Sequence, residues 1–132
     1  SIQAFIGERP DEPQLPLYLT MTEADQQAAG IAFATVKRGE MGFAAILNDS
    51  DLLPGGKAFE QINGCKQFSS WAELVAAWRQ NLTNLAEGFC SGDATVNPKN
   101  FPKTCQYCEM QLFCRIHERI AGDVVAENSD ND

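Results

Sequence analysis

The sequence predicts a mixed α/β domain made of a helix, a β-hairpin, a long amphipathic helix and a cysteine-rich C-terminal segment. Three observations carry that reading. Apolar residues recur at helical spacing through 69–88, a period-two pattern at Ile31, Phe33 and Thr35 precedes a turn at Gly39-Glu40, and Cys105, Cys108 and Cys114, three of the five cysteines, crowd into one short stretch. At 132 residues the chain is one domain at most and is long enough to bury a core. That domain is placed at 1–121, with the cysteine segment at 103–118, and a tail of acidic, disordered composition follows at 122–132.

Residues 2–6 are a short apolar run, and Gly7 to Pro13, with two prolines and a glycine, read as a loop. The first helix follows as Gln14-Leu15-Pro16-Leu17-Tyr18-Leu19-Thr20-Met21, extending toward Asp25. Proline is tolerated in a helix only in the first turn, where its missing N–H has no helical partner to lose, so Pro16 fixes the start between Pro13 and Leu15. Gln14 and Tyr18, four apart, share one face, and Leu15 and Leu19 share the adjacent one. From Gly30 the spacing changes to alternation. Ile31, Phe33 and Thr35 alternate with small residues, Gly39-Glu40 makes a turn, and 41–47 forms a second strand. Asn48 to Lys57 is a surface loop, Ala58 to Ile62 a short extended piece and Asn63-Gly64 a further turn.

The long helix spans 69–88. Ser70 and Glu73 form a capping box at its start, Trp71, Leu74, Val75, Trp78, Leu82, Leu85 and Phe89 make a broad core-facing stripe, and Gly88 signals its end. The Asn81-Leu82-Thr83 sequon inside it reads as chance. Cys90 to Pro102 is an irregular link, and 115–120 form a last helical turn or two.

Three thiols so close together exceed what packing requires and point to a bound group. Thiolates take soft or borderline metals, and a C-x-x-C turn brings two sulfurs onto one ion or cluster. At about 100° per residue, a continuous helix would put Cys105 and Cys108 on one face and Cys114 nearly opposite Cys105, so the segment has to break or wrap around what it holds. A cluster of small apolar side chains is the plain alternative. A structural zinc is the intermediate one, with His117, the single histidine, as fourth ligand of a Cys₃His set. Cys65 and Cys90 stand alone and read as ordinary structural or free thiols.

An odd, clustered cysteine count suits a reducing cytoplasm better than a secreted disulfide framework, and no stretch approaches the roughly 20 apolar residues of a membrane span. The net charge of −8 counts against a freestanding nucleic-acid module, although Asp123, Glu127, Asp130 and Asp132 place much of the acid in the tail. Lys103 and Arg115, which flank the cysteines, are the candidate DNA-phosphate contacts.

Gln14-x-x-x-Tyr18, followed far downstream by Cys105-x-x-Cys108-x-x-x-x-x-Cys114, resembles the C-terminal part of RecB-family nucleases of the PD-(D/E)XK superfamily, and within it the iron-sulfur subgroup of AddB-type nucleases and probable DNA repair exonucleases. The resemblance runs from Gly7 to about Glu118, and it implies a partial restriction-endonuclease-like core. In such enzymes a carboxylate on one strand and a D/E-x-K on the next hold Mg²⁺ or Mn²⁺ for phosphodiester hydrolysis. The resemblance carries the supporting catalytic role of the family's Gln and Tyr onto Gln14 and Tyr18, and three ligands of a 4Fe-4S cluster onto Cys105, Cys108 and Cys114.

No Asp or Glu followed by x-Lys stands before Gln14, and the family's fourth cysteine, which staples the two ends of the domain together, has no counterpart there either. The chain therefore reads as a piece of a longer protein, inactive alone and without an intact cluster, whose parent works on DNA in repair or recombination beside a helicase or nuclease partner subunit. Left without a fourth ligand, the cysteine segment is expected to be disordered, oxidised or paired between chains, and apolar surface left bare by the absent half is a route to dimerisation. The competing reading is a non-catalytic interaction or scaffolding module that holds structural zinc or a metal-free cysteine cluster.

Overall fold

A computed structural model describes residues 2–22 and 28–118. The helix extension toward Asp25 and the acidic tail at 122–132 fall wholly or partly outside them. The chain divides into two compact units, one ending at Gly92 and one beginning at Asp93. Three of the four predicted features lie in the first unit, and the cysteine segment forms most of the described part of the second.

Helix α1 spans Gln14–Met21, starting where Pro16 required. Its first turn is closed by Leu17 N–H donating to Pro13 O at 2.8 Å. It buries Pro16, Leu19 and Thr20, and the Thr20 hydroxyl is satisfied inside the helix by the carbonyl of Pro16 at 2.9 Å. Strands β1 (Gly30–Lys37) and β2 (Glu40–Leu47) form the expected antiparallel hairpin, in register Ile31↔Ile46 and Val36↔Met41. The turn is Arg38-Gly39, one residue earlier than the expected Gly39-Glu40, because Gly39 takes a φ of +83°, open to glycine at no steric cost. Alternation along β1 produces burial only at the proximal end, where Ile31 is buried and the Phe33 ring lies 5.7 Å from that of Phe5; Val36 and Met41 at the tip are exposed.

Strand β3 is only Lys57–Ala58, paired parallel to β2, and 59–61 coil into a 3-10 turn. This corrects the extended piece expected over Ala58 to Ile62: Phe59 is turned into the core, where it is 2% exposed. Leu47 is seated between two glycines, since a Cβ on Gly30 or Gly56 would come within 2.5 and 2.3 Å of its methyl groups.

Helix α2 spans Trp71–Cys90. Ser70 caps it by accepting from Glu73 N–H at 3.2 Å, but the Glu73 carboxylate reaches back to Ser69, not Ser70, accepting from its N–H and hydroxyl at 2.7 Å each. Those two bonds, the hydroxyl's first, hold the Glu73 carboxyl below its usual range. Gly88 does not end the helix. The stop is Gly92, whose φ of +80° lets its N–H return to Phe89 O at 3.1 Å.

The apolar stripe of α2 is a core face only in its first half. Trp71, Leu74, Val75 and Trp78 are buried, Leu82 is half-buried, and Leu85 and Phe89 are exposed. The two indoles pack edge to face at 5.8 Å, and their N–H groups tie the helix to distant chain, Trp71 to Ala28 O at 2.7 Å and Trp78 to Phe5 O at 2.9 Å. Asn81, read as part of a chance sequon, binds Gly7 O at 3.2 Å and so holds the loop before α1.

Candidate functional site

In the first unit the helical spacing that puts Gln14 over Tyr18 also turns both away from the core. Leu15, Pro16, Leu19 and Thr20 take the buried face, leaving Gln14, Leu17, Tyr18 and Met21 on the outer one. Gln14 Nε2 donates to Tyr18 OH at 3.1 Å. Tyr18 is 58% exposed. A phenol oxygen that accepts from the amide keeps its own O–H for a further acceptor, and Gln14 keeps its carbonyl oxygen. The pair is thus a surface donor and acceptor set, suited to orienting an anionic or water-bearing group.

Metal-binding carboxylates of the expected pattern are absent from the chain: none of its Asp or Glu residues is followed two positions later by Lys. An open cleft of about 320 Å³ on this unit is lined by Glu8, Arg9, Asn81, Asn84 and Leu85, and it contains neither motif residue.

In the second unit the cysteine segment breaks, as its spacing required. Asn100 and Thr104 exchange bonds at 3.0 and 2.7 Å, 103–105 form a 3-10 turn, and Cys108 N–H closes the C-x-x-C by donating to Cys105 O at 3.1 Å. One helical turn follows, α3 at Gln111–Cys114, stopped by Arg115 in the left-handed region with φ 51°. Cys105 and Cys114 are half-buried, Cys108 is exposed, and all three are free thiols.

Gln111, which sequence reasoning did not single out, holds the segment together. Its Nε2 donates to Cys105 O at 2.6 Å, its Oε1 lies 3.1 Å from His117 Nε2, and its backbone carbonyl accepts from Cys114 Sγ at 3.5 Å. A lone glutamine between cysteines carries no pattern that could have flagged it. His117 is engaged on two sides, since its ring also packs edge to face on Phe101 at 5.3 Å; a Cys₃His zinc set would have to use its Nδ1 or give up the Gln111 bond. Arg115 pairs with Glu118, both exposed, and Lys103 is exposed.

By donor chemistry the three thiols fit an iron-sulfur cluster. Among the described residues, no three His, Cys, Asp or Glu side chains converge as a single metal ion would require. Of the remaining cysteines, Cys65 is fully buried in the first unit's core, and burial pushes its thiol up to about 11. Cys90 is exposed at the last residue of α2.

No helix among the described residues is long and apolar enough to cross a membrane. No curated protein and no solved structure matches the chain. The family model described as PD-(D/E)XK nuclease superfamily does match, over residues 3–115, a span that includes α1 with its outward Gln14–Tyr18 pair, the mixed sheet, α2 and all three clustered cysteines. The chain belongs to the PD-(D/E)XK nuclease superfamily.

Proposed function

We propose that this chain is the C-terminal part of a DNA exonuclease domain of the RecB-family iron-sulfur subgroup, acting in DNA repair or recombination in the cytoplasm. The observation that carries the reading is the Gln14–Tyr18 pair, solvent-facing and internally hydrogen-bonded within a nuclease-superfamily match. A pair that served only to pack α1 would sit on the face of Leu19 and Thr20 instead. Mg²⁺ or Mn²⁺, held by carboxylates that another part of the parent supplies, would polarise the phosphate and lower the pKa of the attacking water. The work left to this chain is positioning: the Tyr18 hydroxyl donates to a phosphate or water oxygen while Gln14 fixes the phenol from behind. Cys105, Cys108 and Cys114 supply three of four thiolates of a 4Fe-4S cluster, with Lys103 and Arg115 beside them as phosphate contacts and a helicase or nuclease subunit as partner.

The test is degradation of linear DNA by the full-length parent with Mg²⁺. Gln14→Ala is expected to cut the rate about 10²-fold or more with unchanged unfolding, in the range typical of lost transition-state positioning. Cys108→Ala is expected to lose iron, sulfide and folding together. Full cleavage by Gln14→Ala, or a parent without an Asp and a D/E-x-K before α1, refutes the enzyme reading.

A further inference from the structure

The C-x-x-C turn closes in a way that singles out one pair of the three thiols. An i to i+3 hydrogen bond such as that from Cys108 N–H to Cys105 O brings the two Cα atoms within about 7 Å, which overlaps the roughly 4.4–6.8 Å that a disulfide spans. Gln111 Nε2 bonds the same carbonyl at 2.6 Å and holds the turn shut. Cys114 is bonded elsewhere, its N–H to Met110 O at 3.0 Å and its Sγ to Gln111 O, at the end of the helical turn. Access differs too: Cys108 is exposed and Cys105 half-buried.

We propose that, whenever no metal occupies the segment, Cys105 and Cys108 are a reversible redox pair that forms a disulfide by exchange with a low-molecular-weight disulfide of the glutathione class, leaving Cys114 a thiol. The exposed Cys108 sulfur attacks the small disulfide, breaking its S–S bond, forming a mixed disulfide and releasing one glutathione thiolate. Cys105 then attacks the Cys108 sulfur, forming the internal disulfide and releasing the second glutathione. The protein loses two electrons and two protons, and the small disulfide gains both as two thiols. These are two of the thiols assigned above to the cluster, so a block on cluster loading would rest on that reading, whereas the disulfide itself does not.

The experiment uses the full 132-residue chain with Cys90→Ser, which removes the exposed solitary thiol of α2. Reduced and chelator-treated, it is equilibrated with oxidised glutathione, its free thiols are blocked with iodoacetamide in denaturant, and after reduction the newly exposed thiols are labelled with N-ethylmaleimide. Trypsin releases 104–115, one peptide bearing all three cysteines. The expected result is maleimide on Cys105 and Cys108, acetamide on Cys114, and an oxidised chain about 2 Da lighter with no retained glutathione. Adding Cys105→Ser is expected to trap one glutathione on Cys108, and adding Cys114→Ser to change nothing. Maleimide on Cys114, a covalent dimer through these cysteines, or glutathione retained with Cys105 intact overturns the proposal. Iron and sulfide binding by the reduced chain is measured separately, so failure of the cluster reading leaves the labelling result standing.

Discussion

Trp78→Phe against Phe89→Ala tests how the long helix is used. Both aromatics fall on one sequence stripe, yet Trp78 is 2% exposed and Phe89 84%. Replacing Trp78 by Phe keeps a ring in the core but removes the indole N–H that satisfies Phe5 O at 2.9 Å. An unsatisfied buried carbonyl costs about 1–3 kcal/mol, and the vacated half of the indole adds a cavity term, for a total of about 2–3 kcal/mol. At a urea slope of about 1–2 kcal/mol/M for a unit of this size, the midpoint should fall by between about 1 and 3 M. Phe89→Ala removes a ring already in water and should stay within about 0.5 kcal/mol of the parent chain. The assay is urea unfolding followed by far-ultraviolet circular dichroism, which reads both variants alike even though one lacks an indole. Equal losses, or a larger loss from Phe89→Ala, would refute the reading that the core ends at Trp78.

Gly39→Val places a β-branched residue at a φ of +83° and should destabilise the hairpin by about 1–2 kcal/mol, seen as a lower urea midpoint, whereas the same change at exposed Gly42, whose φ is not positive, should not. Because burial raises the Cys65 thiol from 9.0 to about 11, its contribution is full below pH 9 and is lost as pH rises through 11; Cys65→Ala should flatten that alkaline decline in thermal stability, and an unchanged decline would sink the assignment. Gln111→Ala should raise amide exchange at Cys108 by removing the side-chain amide that clamps the Cys105 carbonyl, while Gln106→Ala, whose side-chain amide bonds neighbouring Tyr107, should leave it unchanged.

How much of this was legible in the sequence depends on how local each cause is. Pro16 placed α1, alternation placed the hairpin, and the angular mismatch of Cys105 and Cys114 required a broken segment; each follows from backbone sterics within a few residues. The errors share a different cause. Gly88 and Gly92 are both glycines near a helix end, and only the φ that the chain adopts decides which one caps. Phe89 continues the period of Trp78, but periodicity reports which face a residue lies on, not whether anything lies opposite it. Ala58 to Ile62 read as a short extended piece after the loop, whereas the chain pairs over only Lys57–Ala58 and then coils, with Phe59 buried in the core.

The same distinction governs the site. Gln14 and Tyr18 were found because a helix brings positions four apart together wherever it occurs, and the pair's bond at 3.1 Å is a local consequence of that spacing. Gln111 was missed because its side-chain bonds reach Cys105 and His117, on either side of it, across a broken segment that no periodicity describes. A cysteine segment is therefore legible as a donor set long before it is legible as a geometry. The ligands are written in the spacing, while the residue that decides which two sulfurs meet first is visible only once the turn is closed.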